Sequence, residues 1–401
     1  MALALDPALA PRGGATAVMR PPAASLRRLI LSEFRSYRRL HLEVDPRPVV
    51  LTGANGAGKT NLLEAISLLS PGRGLRRARL GELDRIGGGG LWRVDARLDA
   101  PGGMVDLVTA RVQDGERERR AIRIDGANAS SQAALAEVLS VIWLTPAMDR
   151  LLCEGAGARR RFLDRLVLVG DPGHANVCAS YDQALRERAR LLQAGRFDLA
   201  WLGALERRMA AAGIAIAAAR RQAARNLSGA LAAASGWLPQ PELRLDGDVE
   251  RWLEELSALD AEGRFAEALA ANRRTDAESG TTAFGPHRSD LLVQDRVTGR
   301  LAREASTGQQ KAYLIAVVLA EARLRAASGE QQPILLLDES LAHLDLERRA
   351  ALFAELIALG AQAWLTGTEA SVFAPFGGRA QFFTVQDSTL KRHDPAQPSS
   401  L

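Results

Sequence analysis

The eight residues "GANGAGKT", Gly53 to Thr60, constrain this chain more than any other stretch, because they stand between the apolar run "PVVL" and the helical pattern "TNLLEAISLLS". A glycine-rich turn leading from a buried strand into a helix fits G-x-x-x-x-G-K-[ST] at each fixed position. Its glycines let backbone N–H groups wrap a phosphate, and the helix start favours the negative charge. In that arrangement Lys59 reaches the β- and γ-phosphates and the Thr60 hydroxyl ligates Mg2+. Gly53, Ala54, Asn55, Gly56, Ala57, Gly58, Lys59 and Thr60, with the adjoining Asn61, form the expected nucleotide-binding set. ATP and Mg2+ are the expected cofactors.

A second chemical signal lies far along the chain. "ILLLDES", Ile334 to Ser340, is an apolar strand ending in Asp338 and Glu339, at the carboxyl end where ligand sites of α/β sheets lie. Asp338 is expected to hold the metal through water, and Glu339 to orient and deprotonate an attacking water. Lys59, Asp338 and Glu339 are the expected catalytic set, with Thr60 and Asp338 at the metal.

Between these motifs the pattern changes character. Alternation from Leu26 to Val50 predicts two or three strands, and Arg93–Leu98, Val105–Val112 and Arg120–Ile124 read as further strands, followed by "VIWL" at Val141 to Leu144. From Leu151 to about Arg274 the chain is rich in Ala, Leu and Arg with helical spacing. Strand and helix signals then alternate again: a helix from about Gln309, "PILLLDE", a helix over Glu347 to Leu359, and the strand "AQAWLTGT". One α/β sheet is therefore split in sequence by a helical lobe. The expected layout is a disordered extension over 1–25, an ATPase lobe over 26–150 and 276–385, a helical lobe over 151–275, and a flexible tail over 386–401.

"ASTGQQK" opens the helix before the acid-ending strand. A Ser-x-Gly turn at a helix N-terminus offers a hydroxyl, a close-approaching backbone and a positive dipole end, which suit a γ-phosphate; Ser306 or Thr307 equally serves as an ordinary helix cap.

The order of phosphate loop, insertion, Ser-x-Gly-Gln helix and acidic strand resembles ABC-type ATPases. Within that group the chain resembles the RecF family, relatives of the SMC heads, through "FRSYRRLHLEV", "TGANGAGKTNLLEAISLLSPGRGLR", "WLTPAMDRLLCEGAGARRRFLDRLV", "FGPHRSDL", "STGQQK" and "LLLDESLAHLD". The fold this implies is an α/β ABC-type head with an antiparallel side sheet and an inserted helical lobe. The resemblance implies that Ser306, Gly308 and Gln309 cap nucleotide held by a second copy, that Asp345 belongs to a loop communicating across that dimer, and that Arg35 lies near the nucleotide. It further implies an ATP-dependent homodimer acting on duplex DNA and single-strand/double-strand junctions, slow DNA-stimulated turnover, gap repair, recombinase loading and SOS induction, the partners RecR and RecO, and a cytoplasmic location. Thr366 or Thr368 is placed near the γ-phosphate. The chain departs from the family at Pro146 to Asp149, "PAMD" where Pro-Glu-Asp-Leu is usual, which leaves the role of acids in that loop open.

Lys and Arg total 52 against 47 acidic residues, a net charge of +5 at pH 7. That balance permits an anionic partner without demanding one. Arg76, Arg77 and Arg79 in "GRGLRRARL", and Arg119 and Arg120 in "GERERRAIRI", are the candidate DNA contacts, with Arg159 to Arg161 as a third cluster; such runs equally form solvated faces or salt-bridge lattices. His287 has no metal-ligand set around it in sequence. Cys153 and Cys178 fall in segments that read as helical, without metal-ligand spacing, and are expected to be reduced. No apolar run is long enough to span a membrane. A transporter ATPase subunit is disfavoured by the long helical insertion and by the absence of a His after "AWLTGT", and an SMC-like rod by the insertion's shortness and irregular pattern.

Overall fold

The computed structural model describes residues 24–393 apart from 101, 116, 196–197, 235 and 342–343. The expected disordered extension lies outside the described residues as far as residue 23, and Ser25 already opens a strand. The chain begins with β1 (Ser25–Phe34), β2 (Tyr37–Glu43), β3 (Val49–Thr52) and α1 (Lys59–Ser67). It continues through β4 (Arg93–Ala100), β5 (Gly103–Asp114), β6 (Arg117–Ile124), β7 (Ala127–Asn128), α2 (Leu135–Val138) and β8 (Val141–Leu144). Next come α3 (Ala156–Gly170), α4 (His174–Gln193), α5 (Leu199–Ala233), β9 (Pro241–Asp246), α6 (Asp248–Glu255), α7 (Ala258–Ala271), α8 (Arg273–Ser279) and β10 (Asp290–Asp295). The last elements are α9 (Thr307–Ser328), β11 (Ile334–Leu337), α10 (Leu346–Leu359), β12 (Ala363–Gly367), β13 (Gln381–Gln386) and β14 (Thr389–His393).

The central sheet has the order β14-β13-β3-β12-β11-β8, parallel except for the β13–β14 hairpin. Its β3, β8 and β11 are buried at each position, as expected for strands covered on both faces. Alternation then sorts their side chains between two cores. Val49, Leu51, Ile334, Leu336 and Trp364 pack with Leu62, Leu63 and Ile66 of α1 and with the second sheet. Val50, Leu335, Leu337 and Leu365 pack with α3, α9 and α10 on the other face. The expected side sheet is present, with six antiparallel strands in the order β2-β1-β4-β5-β6-β7. The fully buried amide of Gln362 joins the sheets: it accepts from Leu26 N at 2.8 Å and donates to the carbonyls of Leu26 at 3.0 Å and Asp45 at 2.8 Å.

The helical lobe has its own core, centred on Met209, Ile214, Ala217, Phe265 and Leu269. Arg188, with no exposed side-chain surface, lies inside it. Its guanidinium donates to Glu206 at 3.0 Å, Asp276 at 2.7 Å, the Leu269 carbonyl at 2.7 Å and Thr282 Oγ1 at 3.1 Å. A buried charge is tolerated only when it is paired and its donors are used, and this one is. At the edge of this lobe, Arg220 of α5 grips Asp164 of α3 at 2.7 and 2.8 Å and the Pro286 carbonyl at 2.6 Å.

Three expectations need correction. The segment 151–275 is not wholly helical: β9, "PELRLD", pairs antiparallel with β10. It is short and carries charges, so its alternation is lost among helical signals. The tail expected to be flexible from 386 instead forms β14 over Thr389–His393, held by β13; residues 394–401 lie outside the described residues. Cys153 sits in a turn before α3 rather than in a helix, whereas Cys178 is in α4.

His287 also finds its role here. Its Nδ1 meets the Tyr181 hydroxyl at 2.7 Å and its Nε2 the Thr282 carbonyl at 3.1 Å. The carbonyl requires Nε2–H as donor, so Nδ1 accepts from the tyrosine and the ring is neutral. Burial pushes its pKa down to about 4. In the unfolded chain the ring takes a proton near pH 6.5, so its contribution to stability is complete above that pH and is lost as pH falls towards 4. We expect denaturation free energies to show a loss on the order of 2–3 kcal/mol from this group over that interval, and His287→Gln to flatten the wild-type slope by that amount.

Candidate nucleotide site

The loop between β3 and α1 is held by close backbone approaches. Gly53 has φ 147°, and a Cβ there would lie 2.2 Å from the Val385 carbonyl oxygen of β13. Gly58, φ 114°, caps α1, and a Cβ on it would meet the Tyr37 hydroxyl at 2.9 Å. Both positions lie in the left-handed half of backbone space, where a side chain adds strain to collision. The first-turn N–H groups of α1 have no intrahelical acceptors, and no side chain caps them. Lys59 curls back over the loop, donating from Nζ to the carbonyls of Gly53 at 2.6 Å and Ala54 at 2.9 Å. Burial holds its pKa below the usual lysine range, against the nearby charges of Glu339 and Asp338.

β12 lies between β3 and β11, so the carboxyl ends of all three converge on one point. There the Asp338 carboxylate, only 3% exposed, receives the Thr60 hydroxyl at 3.0–3.1 Å and the Thr366 hydroxyl at 2.7 Å. Thr366 Oγ1 in turn accepts from the Glu339 N–H at 2.9 Å. Glu339 has φ 46°, an uncommon conformation for a non-glycine residue. A buried carboxylate beside a threonine hydroxyl supplies the hard oxygen donors that Mg2+ takes, so these residues fit that ion. Lys311 of α9, 4% exposed, reaches the same place from the other side, with Nζ 3.3 Å from Asp149 and 3.4 Å from the Glu339 carbonyl.

The chain as a whole is similar to known proteins. The family model described as "RecF/RecN/SMC N terminal domain" matches residues 25–374. The DNA replication and repair protein RecF of Mesorhizobium japonicum is 49% identical over 373 residues, covering 92% of this chain and 98% of the relative. Its counterpart in Brucella suis biovar 1 is 46% identical over 374 residues, covering 92% and 97%.

The chain belongs to the RecF family.

Among solved structures, a recombination mediator protein RecF with ATP superposes with a TM-score of 0.78 at 22% identity, covering 92% of this chain and 99% of that one. An SMC head with an extended coiled coil, derived from Pyrococcus furiosus, matches with a TM-score of 0.51 at 16% identity, covering 92% and 96%. These likenesses establish for this RecF-family chain the ABC-type head fold that the motif order implies.

The remaining site residues fall into two groups. Ser306 caps α9 in a reciprocal box: its Oγ accepts from Gln309 N at 3.4 Å, and Gln309 Oε1 accepts from Ser306 N at 3.1 Å. Ser306, Thr307, Gly308 and Gln309 are all exposed, and a Cβ on Gly308 would have no neighbour within 4 Å. Among the described residues no hydrogen bond links them to the loop at 53–60. Asp345 caps α10 through Arg348 N at 2.8 Å. Arg35, expected near the nucleotide, has its guanidinium engaged by Glu64 of α1, with two contacts of 2.8 Å, and by the Glu82 carbonyl at 2.6 Å. It braces α1 from behind the loop, because the fully buried Glu64 demands a cation. Arg76 shares that duty, 2.8 Å from Glu64 and 2.7 Å from Asn61.

The arginine clusters also divide. Arg77, Arg79 and Arg119 are exposed. Arg120 does not fit a DNA contact: it donates to Thr109 at 2.7 Å and to the carbonyls of Gly72 at 2.6 Å and Leu68, and burial pushes its pKa down to about 10. It pins the segment after α1 to the side sheet. Arg159 is likewise committed, gripping Asp290 of β10 at 2.7 and 2.8 Å. Sequence reasoning missed Lys311 and Asp149 as a pair; the lysine inside an apolar helix face was the available signal. Thr368 has no such network, whereas Thr366 joins Asp338 to Glu339. Thr366→Val should therefore lower nucleotide-free stability by about 1–3 kcal/mol in urea denaturation, against no more than about 0.5 kcal/mol for Thr368→Val.

Proposed function

We propose that this chain is an ATP-gated DNA-binding protein whose nucleotide site is completed by a second copy. The observation that carries this reading is the division of the site: the phosphate loop, Thr60, Asp338 and Glu339 converge, while Ser306 to Gln309 are exposed and, among the described residues, make no hydrogen bond to them, although their helix reaches the Glu339 carbonyl through Lys311. In this reading the loop amides and Lys59 hold the triphosphate, and Lys59 exchanges its two carbonyl contacts for phosphate oxygens. Thr60 and Asp338 hold Mg2+, which would neutralise charge on the β- and γ-phosphates. Glu339 orients a water and takes its proton. The exposed dipole end of α9, with Ser306, Gly308 and Gln309, faces the γ-phosphate held by a partner copy. Asp345 would belong to the loop that communicates across that dimer.

ATP then favours the dimer because it binds both halves, and hydrolysis removes the shared contact. A dimer of this kind closes on duplex DNA and on single-strand/double-strand junctions. Of the five candidate arginines, Arg77, Arg79 and Arg119 are exposed and carry no ion pair among the described residues, and Arg76 joins them only by releasing Glu64. Relatives named DNA replication and repair protein RecF, and a recombination mediator of the RecFOR pathway, support a role in recombinational repair. In this reading the chain acts in gap repair and recombinase loading with RecO and RecR, turns over slowly with stimulation by DNA, and works in the cytoplasm upstream of SOS induction. Among the described residues no helix is long and apolar enough to cross a membrane.

Mass photometry and duplex-DNA anisotropy with ATP test the reading. Lys59→Met should abolish both dimer and ATP-dependent DNA binding. Glu339→Gln should accumulate the ATP dimer, and a monomer under those conditions removes Glu339 from its role. Ser306→Arg should keep ATP binding and lose the dimer; loss of nucleotide affinity instead would mean a site completed within one chain. In salt titrations, Arg79→Ala and Arg119→Ala should each reduce the log–log slope by about one phosphate contact, whereas Arg120→Ala should lower stability by about 1–3 kcal/mol and leave the slope unchanged.

A further inference from the structure

A cavity of about 320 Å3 lies between the edge strand β8, helix α3 and the segment 70–77 that follows α1, apart from the nucleotide site. Leu75, Val141, Trp143, Met148, Phe162 and Leu168 give it apolar walls. Among its polar lining, Arg165 is unusual. Its guanidinium carbon stands 3.8 Å above the Trp143 ring and 5.7 Å from the Phe162 ring. Its nearest polar contact is Met148 Sδ at 3.9 Å, and its Nε is buried without a partner. Asp164, the neighbouring acid, is already taken by Arg220 at 2.7 Å and His174 at 2.9 Å. Among the described residues no carboxylate pairs with Arg165. Burial pushes its pKa down to about 9, with no opposing charge to raise it.

The outer part repeats this imbalance. Arg161 and Arg77, both exposed, also line the cavity, and Arg77 holds the Arg161 pKa down by like charge, with burial the larger cause. Four arginines line the space, Arg73, Arg77, Arg161 and Arg165, against two acids, Glu154 and the committed Asp164. A desolvated cation without a counter-ion beside an apolar void is costly alone and favourable once an anion with an apolar body enters.

We infer that this cavity is a docking site for an acidic peptide segment of a protein partner, in which a Leu- or Phe-type side chain fills the void beside Trp143 and an adjacent carboxylate pairs with Arg165. Arg161 and Arg77 then take flanking acids. A nucleic-acid strand is the poorer fit, since phosphates on the outer arginines would leave the apolar void empty and Arg165 unpaired. Occupancy also has a route to the nucleotide site: Met148 lines the cavity, and the next residue, Asp149, carries the contact to Lys311 that continues to Glu339. That consequence rests on the proposed ATP site; the docking itself does not.

The test is fluorescence anisotropy on the full chain without nucleotide, so that failure of the ATP reading leaves it intact. The probes are fluorescein-labelled Ser-Gly-Asp-Glu-Asp-Leu-Phe and Ser-Gly-Asp-Glu-Asp-Phe-Leu with free carboxylates. Saturable binding by at least one is expected, with affinity about 10–100-fold weaker when the acids become Asn and Gln and the terminus is amidated, and no binding when Leu and Phe become Ser. Arg165→Gln should weaken binding about tenfold or more, with Arg165→Lys intermediate. Should Arg165→Gln fail to fold, the uncharged peptide and the surface variant Arg161→Glu, expected to weaken binding severalfold, ask the same question. Absence of binding by both probes, unchanged binding by the uncharged peptide or by Arg165→Gln, or full competition by a thymidine dodecamer at equal concentration would each overturn the inference.

Discussion

The hydrogen bonds converging on the Asp338 carboxylate hold the site together. Thr60 comes from the first turn of α1, Thr366 from the end of β12, and the acid itself from the end of β11. These segments are far apart in sequence, and only a sheet of order β3-β12-β11 puts them in register. Because the carboxylate is buried, each hydroxyl that satisfies it is required by electrostatics rather than by packing. The same bonds keep α1 seated, so the loop ahead of it is shaped before any ligand arrives. In the proposed cycle Thr60 and Asp338 would be the residues that hold the ion.

The second organising feature is the way buried charge marks each mechanical junction. Glu64 receives Arg35 and Arg76 behind α1; Asp164 receives Arg220 at the edge of the helical lobe; Arg188 anchors three segments within that lobe. Removing one partner from such a cluster leaves an uncompensated charge, which costs more than the pair contributes. These segments are thereby joined by contacts that specify one geometry. Lys311 links α9 to the end of β11 and to the loop at 146–149.

Much of this was legible in sequence, for reasons that can be named. The phosphate loop was readable because its glycines answer local backbone demands, and β3, β8 and β11 because strands buried on both faces are unbroken apolar runs. The fold class followed from their order. What escaped notice depends on partners distant in the chain. The bracing of α1 by Arg35 could not be read in advance, because nothing local announces that Glu64 is buried. Arg120 looked like part of a basic surface, yet its acceptors are carbonyls some fifty positions earlier. β9 hid inside a helical composition because its pairing with β10 is a tertiary fact. Ser306 remained readable either as a cap or as half of a site, and the structure makes it a cap within one chain while leaving it open towards solvent.

That β9–β10 pairing has a consequence for how the molecule could have been assembled and how it can be cut. The helical lobe is not a cassette bounded by two loops: a strand from within it is zipped, residue by residue from Pro241 to Asp246, onto a strand that lies beyond its last helix. Excising residues 151–275 would strip β10 of its neighbour and expose an unpaired edge beside Tyr313, which holds Asp295 at 2.8 Å. The lobe and the head share one hydrogen-bonded seam, so a truncated head would be a prime site for edge-to-edge aggregation rather than a smaller version of the same protein.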